Sequence, residues 1–433
     1  MSNNNPARRD HREIGRDMGI FATSPLAGSG LPLWLPAGAV IRRELEQYAH
    51  QVALATGCEA VYSPVLGKRA LYEQSGHWAK FHDAMFPPMD SGGDQLVPRP
   101  ANCPHHALIY SANQHSYRDL PIRYNELAAM FRAEPSGALS GLSRVRQINL
   151  DDTHVFCRPD QIRAEVNLAM VAVLDVFSVL GIDIDHVRLS GRDDTGNFLG
   201  TDQQWHDAEG QLRAVIDDLG LADRGLRWQD APGEAAFYGP KLDVQVLDAR
   251  GHHESLATVQ LDFNQPERFD LTYVGPDGAR ERVVMIHRGV IGAMERMVAL
   301  LLEQHDGRLP LWLAPVQLCL LPVAPDCTDV AWDVADRLRS RGLRVRVDRD
   351  GTLGARIRSA RVRRAALLGV IGPVEARSGK VAVHDPATDA RWSGPVDDLA
   401  AAMLHAVRSR AARVNFLTDE DVDDAVATGQ QHT

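Results

Sequence analysis

The chain has 433 residues, a length that favours two or three domains. With 44% hydrophobic and 24% charged residues it has an ordinary globular composition, and a net charge of −10 argues against wrapping of nucleic acid over its whole surface. Five scattered cysteines form no disulfide framework, and we see neither a signal peptide nor an apolar run that could span a bilayer. These features predict a cytoplasmic protein that is not inserted in a membrane.

The predicted elements alternate short strands with amphipathic helices. Residues 38–57 and 160–181 predict helices, each ended by a glycine, and Asp160 is a candidate cap for the second helix. The stretch "KLDVQVLD" alternates apolar and polar residues, which predicts a half-buried antiparallel strand, and "ATVQLDF" predicts a second strand. "VVMIHRG" with "VIGAMERMVALLLEQ" predicts strand, glycine break and helix. Beyond about residue 310, strands and helices alternate as in an α/β module with a partly parallel sheet.

The stretch "ANCPHH" places Cys103 close to His105 and His106, three potential metal ligands in six residues. The spacing does not match the paired clusters of structural zinc sites, and no second CxxC or HxxxH follows elsewhere in the sequence. From these residues alone a metal site, a redox cysteine and a buried core thiol all remain open.

Arginine is concentrated in one part of the second half of the chain. Eleven arginines, no lysine and only two acids, Asp348 and Asp350, lie between Arg337 and Arg364. Such a run is either a solvated basic face or a contact for RNA or phosphate. The last residues are acidic instead, with five carboxylates between Asp419 and Asp424.

Polar residues also lie in four segments where a plain core would be apolar. Arg132 and Arg144 flank the turn-rich loop "EPSGALSG", a spacing that could clamp a phosphate because guanidinium forks match phosphate oxygens. The other three segments carry Tyr238 and Lys241, Gln260 and Asp262, and His287, Glu295 and Arg296. Each residue taken alone is a weak functional signal.

Taken in order, these segments resemble a known family. "GHWAKFHDAMF", "ANCPHH", "YRDLPIR", "FRAEPSG", "GLSRVRQINLDDTHVF", "AFYGPKLD", "TVQLDF", "MIHRGVIGAMERM" and "LAPVQ" resemble the bacterial threonyl-tRNA synthetases, which are class II aminoacyl-tRNA synthetases. The resemblance implies an α+β fold, with an antiparallel-sheet catalytic domain at residues 9–310 and an α/β anticodon-binding-type domain at 311–413. We expect residues 1–8 to be a disordered N-terminus and 414–433 an acidic tail.

The resemblance implies roles for the arginines. It places Arg132 on the α-phosphate of ATP and the substrate carboxylate, Glu134 on the adenine, and Arg144 and Arg296 on the triphosphate. Arg132, Arg296 and Lys241 are the expected catalytic residues, and Mg²⁺ is expected with ATP. Adenylation is an in-line displacement at phosphorus that needs positive charge more than a base, which suits this set.

The resemblance also implies one zinc ion per chain, bound by Cys103, His154 and His287. Three protein ligands leave coordination positions open, as in a catalytic zinc site. In the family, threonine fills those positions with its amino and hydroxyl groups, which valine cannot do. Asp152, Tyr238, Gln260 and the residue at position 150 are the expected amino-acid contacts.

For the remaining partners the resemblance implies tRNA(Thr) and a second copy of the chain. Expected tRNA contacts are Arg356, Arg358, Arg361, Arg363 and Glu375. "GAVIRRELEQY" and Pro64 stand where the family's dimerisation motif belongs, so we expect a homodimer.

The sequence departs from the family pattern in several places. The resemblance begins almost at the catalytic domain, which predicts a truncated form without the N-terminal editing domains and hence without correction of serine in cis. Leu150 replaces a glutamine, Ala133 an asparagine and His105 a glycine. "SGKVAVHDPATD" is acidic where the family is basic, and "VDRDGTLGARIR" is about one residue short.

The expected function is therefore ATP-dependent activation of threonine and its transfer to tRNA(Thr). Because of Leu150 and the altered anticodon module, two alternatives stay open. One is a ligase that gives threonine, serine or an analogue to another acceptor in specialised metabolism, or an inhibitor-resistant duplicate of the synthetase. The other is a non-catalytic RNA-binding regulator.

Overall fold

The computed structural model describes residues 9–194 and 198–416, so the predicted disordered N-terminus and residues 417–433 of the acidic tail lie outside it. The chain forms two compact units. The first takes in residues 9–12, 21–33 and 45–304, and the second takes in 13–20, 34–44 and 305–416. None of the helices in the described residues is long and apolar enough to cross a membrane.

The helices are α1 (His11–Met18), α2 (Pro36–Ala55), α3 (Arg69–Gln74), α4 (His77–Phe81), α5 (Cys103–Ser111), α6 (Ile162–Leu180), α7 (Asp202–Leu219), α8 (Asn264–Arg268), α9 (Met294–Gln304), α10 (Thr328–Arg339), α11 (Leu353–Val362), α12 (Pro373–Ser378) and α13 (Val396–Arg408). The strands are β1 (Phe21–Ala22), β2 (Leu33–Trp34), β3 (Glu59–Ala60), β4 (Leu66–Lys68), β5 (Met89–Ser91), β6 (Asp94–Pro98), β7 (Ile122–Phe131), β8 (Gln147–Cys157), β9 (His186–Gly191), β10 (Arg227–Pro232), β11 (Lys241–Leu247), β12 (His253–Asp262), β13 (Thr272–Val274), β14 (Arg280–Arg282), β15 (Val284–Gly289), β16 (Leu318–Pro322), β17 (Val345–Val347), β18 (Leu367–Ile371), β19 (Lys380–His384) and β20 (Arg391–Pro395).

An eight-stranded sheet in the order β10-β9-β11-β12-β15-β8-β7-β3 forms the centre of the first unit. Its strands pair antiparallel from β9 to β7, and only the two edge pairs, β10 with β9 and β3 with β7, are parallel. The predicted α+β class with an antiparallel catalytic sheet is confirmed. The register places His287 of β15 opposite His154 of β8, so two side chains far apart in the sequence share one face of the sheet.

Strand β11 pairs antiparallel as predicted, but the expectation that it is half-buried is wrong. Its apolar residues Leu242, Val244 and Val246 are fully buried, and so are Asp243 and Gln245 on the other face. Asp243 can be buried because Lys241 and Arg188 bring positive charge to the same carboxylate oxygen, at 2.7 Å and 3.0 Å. The polar face of this strand is therefore an enclosed, charged surface.

Helix α6 covers one face of the sheet with its apolar side. It ends where glycine was expected, because Gly181 adopts a left-handed conformation with φ of 64° that terminates the helix. Its start differs slightly: Asp160 lies in a preceding turn and bonds Arg158, at 3.0 Å, rather than capping the helix. The apolar stripe of the helix is the feature that the sequence pattern predicts best.

The second unit contains a five-stranded sheet in the order β17-β16-β18-β19-β20. Strands β17, β16 and β18 are parallel, and β19 and β20 are antiparallel to their neighbours, which confirms the partly parallel α/β module. Helices α10 and α13 pack apolar residues such as Leu338 and Leu399 into its core.

Candidate active site

Three side chains with metal-binding atoms meet on the central sheet of the first unit. Cys103 opens helix α5, His154 lies in β8 and His287 lies in β15, and all three are buried. One ligand atom from each lies within 4.8 Å of the other two. The imidazole nitrogens Nε2 of His154 and Nδ1 of His287 are only 2.9 Å apart.

The neighbours of this cluster suit a bound cation. His287 donates its Nε2 proton to Asp262 at 2.9 Å, which leaves the Nδ1 lone pair facing the centre of the cluster. Burial raises the pKa of the Cys103 thiol well above its usual value, and a cation would lower it again because thiolate is the metal-binding form. One thiolate and two imidazoles are donors that zinc prefers, so the residues present fit a zinc ion.

A chain of hydrogen-bonded polar residues contacts the other ring nitrogen of His154. Its Nδ1 lies 2.8 Å from Nδ1 of His106, and Nε2 of His106 lies 2.8 Å from the amide nitrogen of Asn102 and 3.3 Å from Glu126. Arg99, which is 1% exposed, bonds Glu126 at 3.0 Å. His106 therefore contacts the ring nitrogen of His154 that faces away from His287, and it can hold that ring in orientation.

His105 has a different position from His106. Its Nδ1 atom has no hydrogen-bond partner among the described residues, and burial lowers the pKa of the side chain to about 4. It faces the Tyr72 ring at 6.3 Å between centroids, so it packs as a neutral side chain. Nothing in the structure explains the replacement of glycine by this histidine.

The expected amino-acid contacts lie around the cluster. Tyr238 stacks at 4.9 Å on the His287 ring and donates a 2.6 Å hydrogen bond to Gln260. Asp152 lies 3.9 Å from His154, and burial, followed by the charge of neighbouring Asp151, raises the pKa of Asp152 to about 8. Leu150 in β8 makes a bridge with Ala293 at the start of helix α9. Leu150, Asp152 and His154 alternate along β8 and so lie on one face of the sheet, to which Leu150 brings no hydrogen-bonding group.

The arginines expected to bind ATP lie at the end of the β7–β8 hairpin. Burial and the charge of Arg296 lower the pKa of Arg132, and its Nε atom has no hydrogen-bond partner among the described residues. Glu134 bonds Arg144, whose Nε and terminal nitrogens lie 2.9 Å and 2.8 Å from the same oxygen. An incompletely bonded, partly buried guanidinium is a prepared anion contact.

Arg296 and Lys241 complete the positive charge. Arg296 donates to the Ser255 carbonyl at 2.9 Å and lies 3.8 Å from Glu254. Lys241 forms its 2.7 Å ion pair with buried Asp243. Burial raises the pKa of Tyr238 well above its usual value, and Tyr238 is near enough to both Cys103 and Arg132 for their charges to affect it.

Two further buried residues near Cys103 and Asp262, His77 and Gln265, have no role predicted from the sequence. His77 lies with Nε2 3.7 Å from the Cys103 sulfur, its Nδ1 is 2.8 Å from Ser75, and burial lowers its pKa to about 4. Gln265 is buried against Asp262, at 3.2 Å. The "GHW" segment that carries His77 was a signal, whereas Gln265 follows "TVQLDF" with no pattern of its own.

The residues expected to contact tRNA lie in the second unit and differ in accessibility. Arg356 is buried and donates to the carbonyls of Pro322 and Asp348, at 2.7 Å and 3.1 Å, so it is no surface residue. Arg363 approaches Asp348 at 3.4 Å, and Glu375 accepts a bond from the Gly372 amide. Arg358 and Arg361 are exposed.

Two family models match the chain. Residues 84–305 match the class II core domain of tRNA synthetases of the G, H, P, S and T types, and residues 317–405 match an anticodon-binding domain. The first match covers the cysteine–histidine cluster and Arg132, Arg144 and Arg296.

The curated relatives that match the chain include threonine–tRNA ligases. The protein of Bacillus velezensis is 51% identical over 380 residues, which are 87% of this chain and 58% of that protein. The protein of Geobacillus kaustophilus is 47% identical over 410 residues, which are 94% of this chain and 62% of that protein. The chain thus spans about three-fifths of the length of these relatives.

Two solved structures extend the likeness to the fold. A threonyl-tRNA synthetase RNA-binding domain from Cryptosporidium parvum superposes with a TM-score of 0.85 at 33% identity, covering 95% of this chain and 100% of that one. A putative threonyl-tRNA synthetase from Aeropyrum pernix gives 0.81 at 27% identity, covering 94% and 98%. From the matching core, the anticodon-binding domain and these relatives we conclude that the chain belongs to the threonyl-tRNA synthetases of the class II tRNA synthetase family.

Proposed function

We propose that the chain activates threonine with ATP to form threonyl-adenylate and transfers the threonyl group to tRNA(Thr). The observation that carries this proposal is the cluster of Cys103, His154 and His287, whose ligand atoms lie within 4.8 Å and whose His287 ring contacts Tyr238. A plain phosphate-binding site would not need a thiol and two imidazoles beside its arginines.

In the activation step the threonine carboxylate attacks the α-phosphorus of ATP, and pyrophosphate leaves. Arg132 holds the α-phosphate and the attacking carboxylate, while Arg144, Arg296 and Lys241 bring positive charge to the phosphate oxygens. Glu134 now occupies the fork of Arg144, so ATP binding would redistribute this ion pair. Charge placed in advance on the oxygens lowers the barrier without a general base.

Specificity would come from the polar pocket. Cys103, His154 and His287 would hold one zinc ion, which supplies open positions for the amino and hydroxyl groups of threonine. Asp152 would accept a hydrogen bond from the hydroxyl, and Tyr238 and Gln260, which are hydrogen-bonded to each other, would supply further polar contacts. Valine would leave these polar groups unpaired, and that costs more than a missing methyl contact.

The proposal includes further partners. Mg²⁺ accompanies ATP, the exposed Arg358 and Arg361 contact tRNA together with neighbouring Arg363 and Glu375, and Arg356 supports their helix from inside. The five cysteines are buried and free, as suits a reducing cytoplasm. We also infer a homodimer, because exposed apolar side chains surround Pro64 in the expected dimerisation motif. These are Tyr62, Val65, Leu66 and Leu108.

The test is ATP–pyrophosphate exchange with each amino acid in turn, with charging of tRNA(Thr) measured beside it. We expect exchange with threonine and charging of tRNA(Thr). Exchange without charging would overturn the tRNA part of the proposal in favour of another acceptor. No exchange with any amino acid would overturn it entirely.

A cysteine pair tests the metal part separately. Cys103→Ser should lose bound zinc and threonine-dependent exchange together, whereas Cys157→Ser, an equally buried thiol in β8, should keep both. One zinc ion retained in Cys103→Ser would contradict the assignment.

A further inference from the structure

A second group of metal-ligating side chains lies elsewhere on the central sheet. Asp185 immediately precedes β9, His186 is its first residue, and His253 is the first residue of β12. Both strands pair with β11, which lies between them, so the sheet register brings the side chains together. None of these residues contributes to the proposed synthetase chemistry.

One nitrogen of each imidazole approaches the same carboxylate oxygen of Asp185. Oδ2 of Asp185 lies 2.6 Å from Nδ1 of His186 and 3.1 Å from Nε2 of His253, and all three atoms lie within 4.8 Å of one another. The two imidazole rings are 5.2 Å apart between centroids. Ligand atoms placed 2.0–2.1 Å from a tetrahedral zinc ion stand roughly 3.3 Å apart, so shifts of a few tenths of an ångström would admit a cation.

The surroundings hold two of the ligands in place. The Asp185 amide donates to the Gln245 carbonyl at 2.9 Å, and the far nitrogen of His186, Nε2, lies 2.8 Å from the Gln229 side-chain amide. A metal ion bound at Nδ1 would displace the proton that now bridges to Asp185 and leave the ring proton on Nε2, where the Gln229 amide would turn its oxygen to accept it, as at other metal-binding histidines. Arg227 contacts the other oxygen, Oδ1, at 3.1 Å, which leaves Oδ2 for the ligand position.

The cluster also has an entry path and an ionised carboxylate. His253 is about half exposed and Arg227 is 75% exposed, so both can move aside. Asp185 supplies the negative charge of the set, as carboxylates ordinarily do at neutral pH. Two imidazoles with one carboxylate suit zinc, and also copper, nickel or cobalt, better than magnesium or calcium.

We propose that Asp185, His186 and His253 form a second site for a divalent transition metal, separate from the Cys103 cluster. His253 and Asp262 stand at opposite ends of β12, and ten strand residues span roughly 30 Å, so the two sites cannot share one ion. Three protein ligands leave the rest of the coordination sphere to water or to an incoming donor group.

The experiment is equilibrium dialysis of the full chain against zinc at low micromolar concentration, followed by metal counting. We expect two zinc ions per wild-type chain and one in His253→Ala, with at least a tenfold loss of affinity for the second ion. His252→Ala is the matched control: this neighbouring exposed histidine approaches Asp248 rather than Asp185, so it should keep two. Equal counts in the two variants would overturn the proposal.

Cobalt substitution identifies each ion by its ligands. A sulfur-to-cobalt charge-transfer band should report the Cys103 cluster and should be absent from the ion that His253→Ala removes. Cys103→Ser should lose the band and keep one ion that depends on His253, so failure of the proposed synthetase zinc leaves this test intact. A Cys103→Ser chain that holds no metal would contradict the second site, and unchanged threonine-dependent exchange is expected in His253→Ala.

Discussion

The two clusters for which we propose a metal ion have similar donor sets but lie in different environments. Cys103, His154 and His287 are buried, and each imidazole is held by further buried polar groups. Asp185, His186 and His253 lie at an edge of the same unit, where His253 is open to solvent and the contacts of Asp185 include an exposed arginine. The comparison indicates that burial and hydrogen bonds fix the ligand atoms of the first cluster, whereas those of the second can move.

The largest expected difference is in the unfolding free energy lost when the arginine near each cluster is removed. Arg99→Met should lower the free energy of unfolding by about 3–5 kcal/mol, because it leaves Glu126 buried without its cation. Arg227→Met, which removes the exposed partner of Asp185, should cost less than about 1 kcal/mol. Urea unfolding measures both, and similar losses in the two variants would remove the distinction between the clusters.

Lowering the pH should reduce the free energy of unfolding through Glu126, the carboxylate near the buried cluster. Burial pushes the pKa of Glu126 up, but hydrogen bonds from His106 and Ser63 and the charge of Arg99 outweigh it and lower the pKa from 4.5 to about 2. Since the folded pKa is depressed, this stabilisation is complete above about pH 4.5 and is lost as the pH falls towards 2. It amounts to about 3 kcal/mol.

Glu126→Gln tests this acid effect because glutamine does not titrate there. Between pH 4.5 and 2 its unfolding free energy should fall by about 3 kcal/mol less than that of the wild type. Parallel acid curves for the two proteins would show that Glu126 carries no such stabilisation.

Asp262, which bonds His287, should affect zinc affinity more than Gln229, which bonds His186. Asp262→Asn should weaken zinc binding at the Cys103 cluster by about 10–100-fold, because it weakens the bond that fixes the His287 tautomer. Gln229→Leu, its counterpart at the exposed cluster, should change zinc affinity less, since water can replace an exposed amide. Competition with a chelator measures both constants, and a larger effect of Gln229→Leu would reverse our comparison.

The smallest expected effect lies within the buried pocket. Leu150→Gln should restore a polar group beside the amino acid and lower KM for threonine by about 2–10-fold, which corresponds to one net hydrogen bond. Leu127→Gln, a leucine on neighbouring β7 that is 38% exposed, is the control and should leave KM unchanged. An unchanged KM in Leu150→Gln would mean that position 150 does not contact the substrate.

Sequence patterns predict the helices and strands of this fold well, but they predict poorly which distant residues contact each other. The apolar stripe of α6 and the glycine that ends it are local properties, and both predictions are confirmed. The burial of Asp243 was not predictable, because it depends on cations that reach it from Lys241 and from another strand.

The same limit applies to the two clusters. His154 and His287 are 133 residues apart, and the spacing says nothing about their meeting; only resemblance to a family connected them to Cys103. Asp185 and His253, 68 residues apart, had no family pattern to connect them, and their meeting depends on the register of β9, β11 and β12.

The second unit has a consequence for how the chain is made. It includes residues 13–20, whose Ile14 and Met18 are almost fully buried and lie near Gly307 in the same unit. A ribosome adds roughly 5–20 residues per second, so these apolar side chains wait about 15–60 s before residue 307 is synthesised. During that time these apolar side chains lack their native cover, and a fragment that starts near residue 305 would expose the surface that they cover.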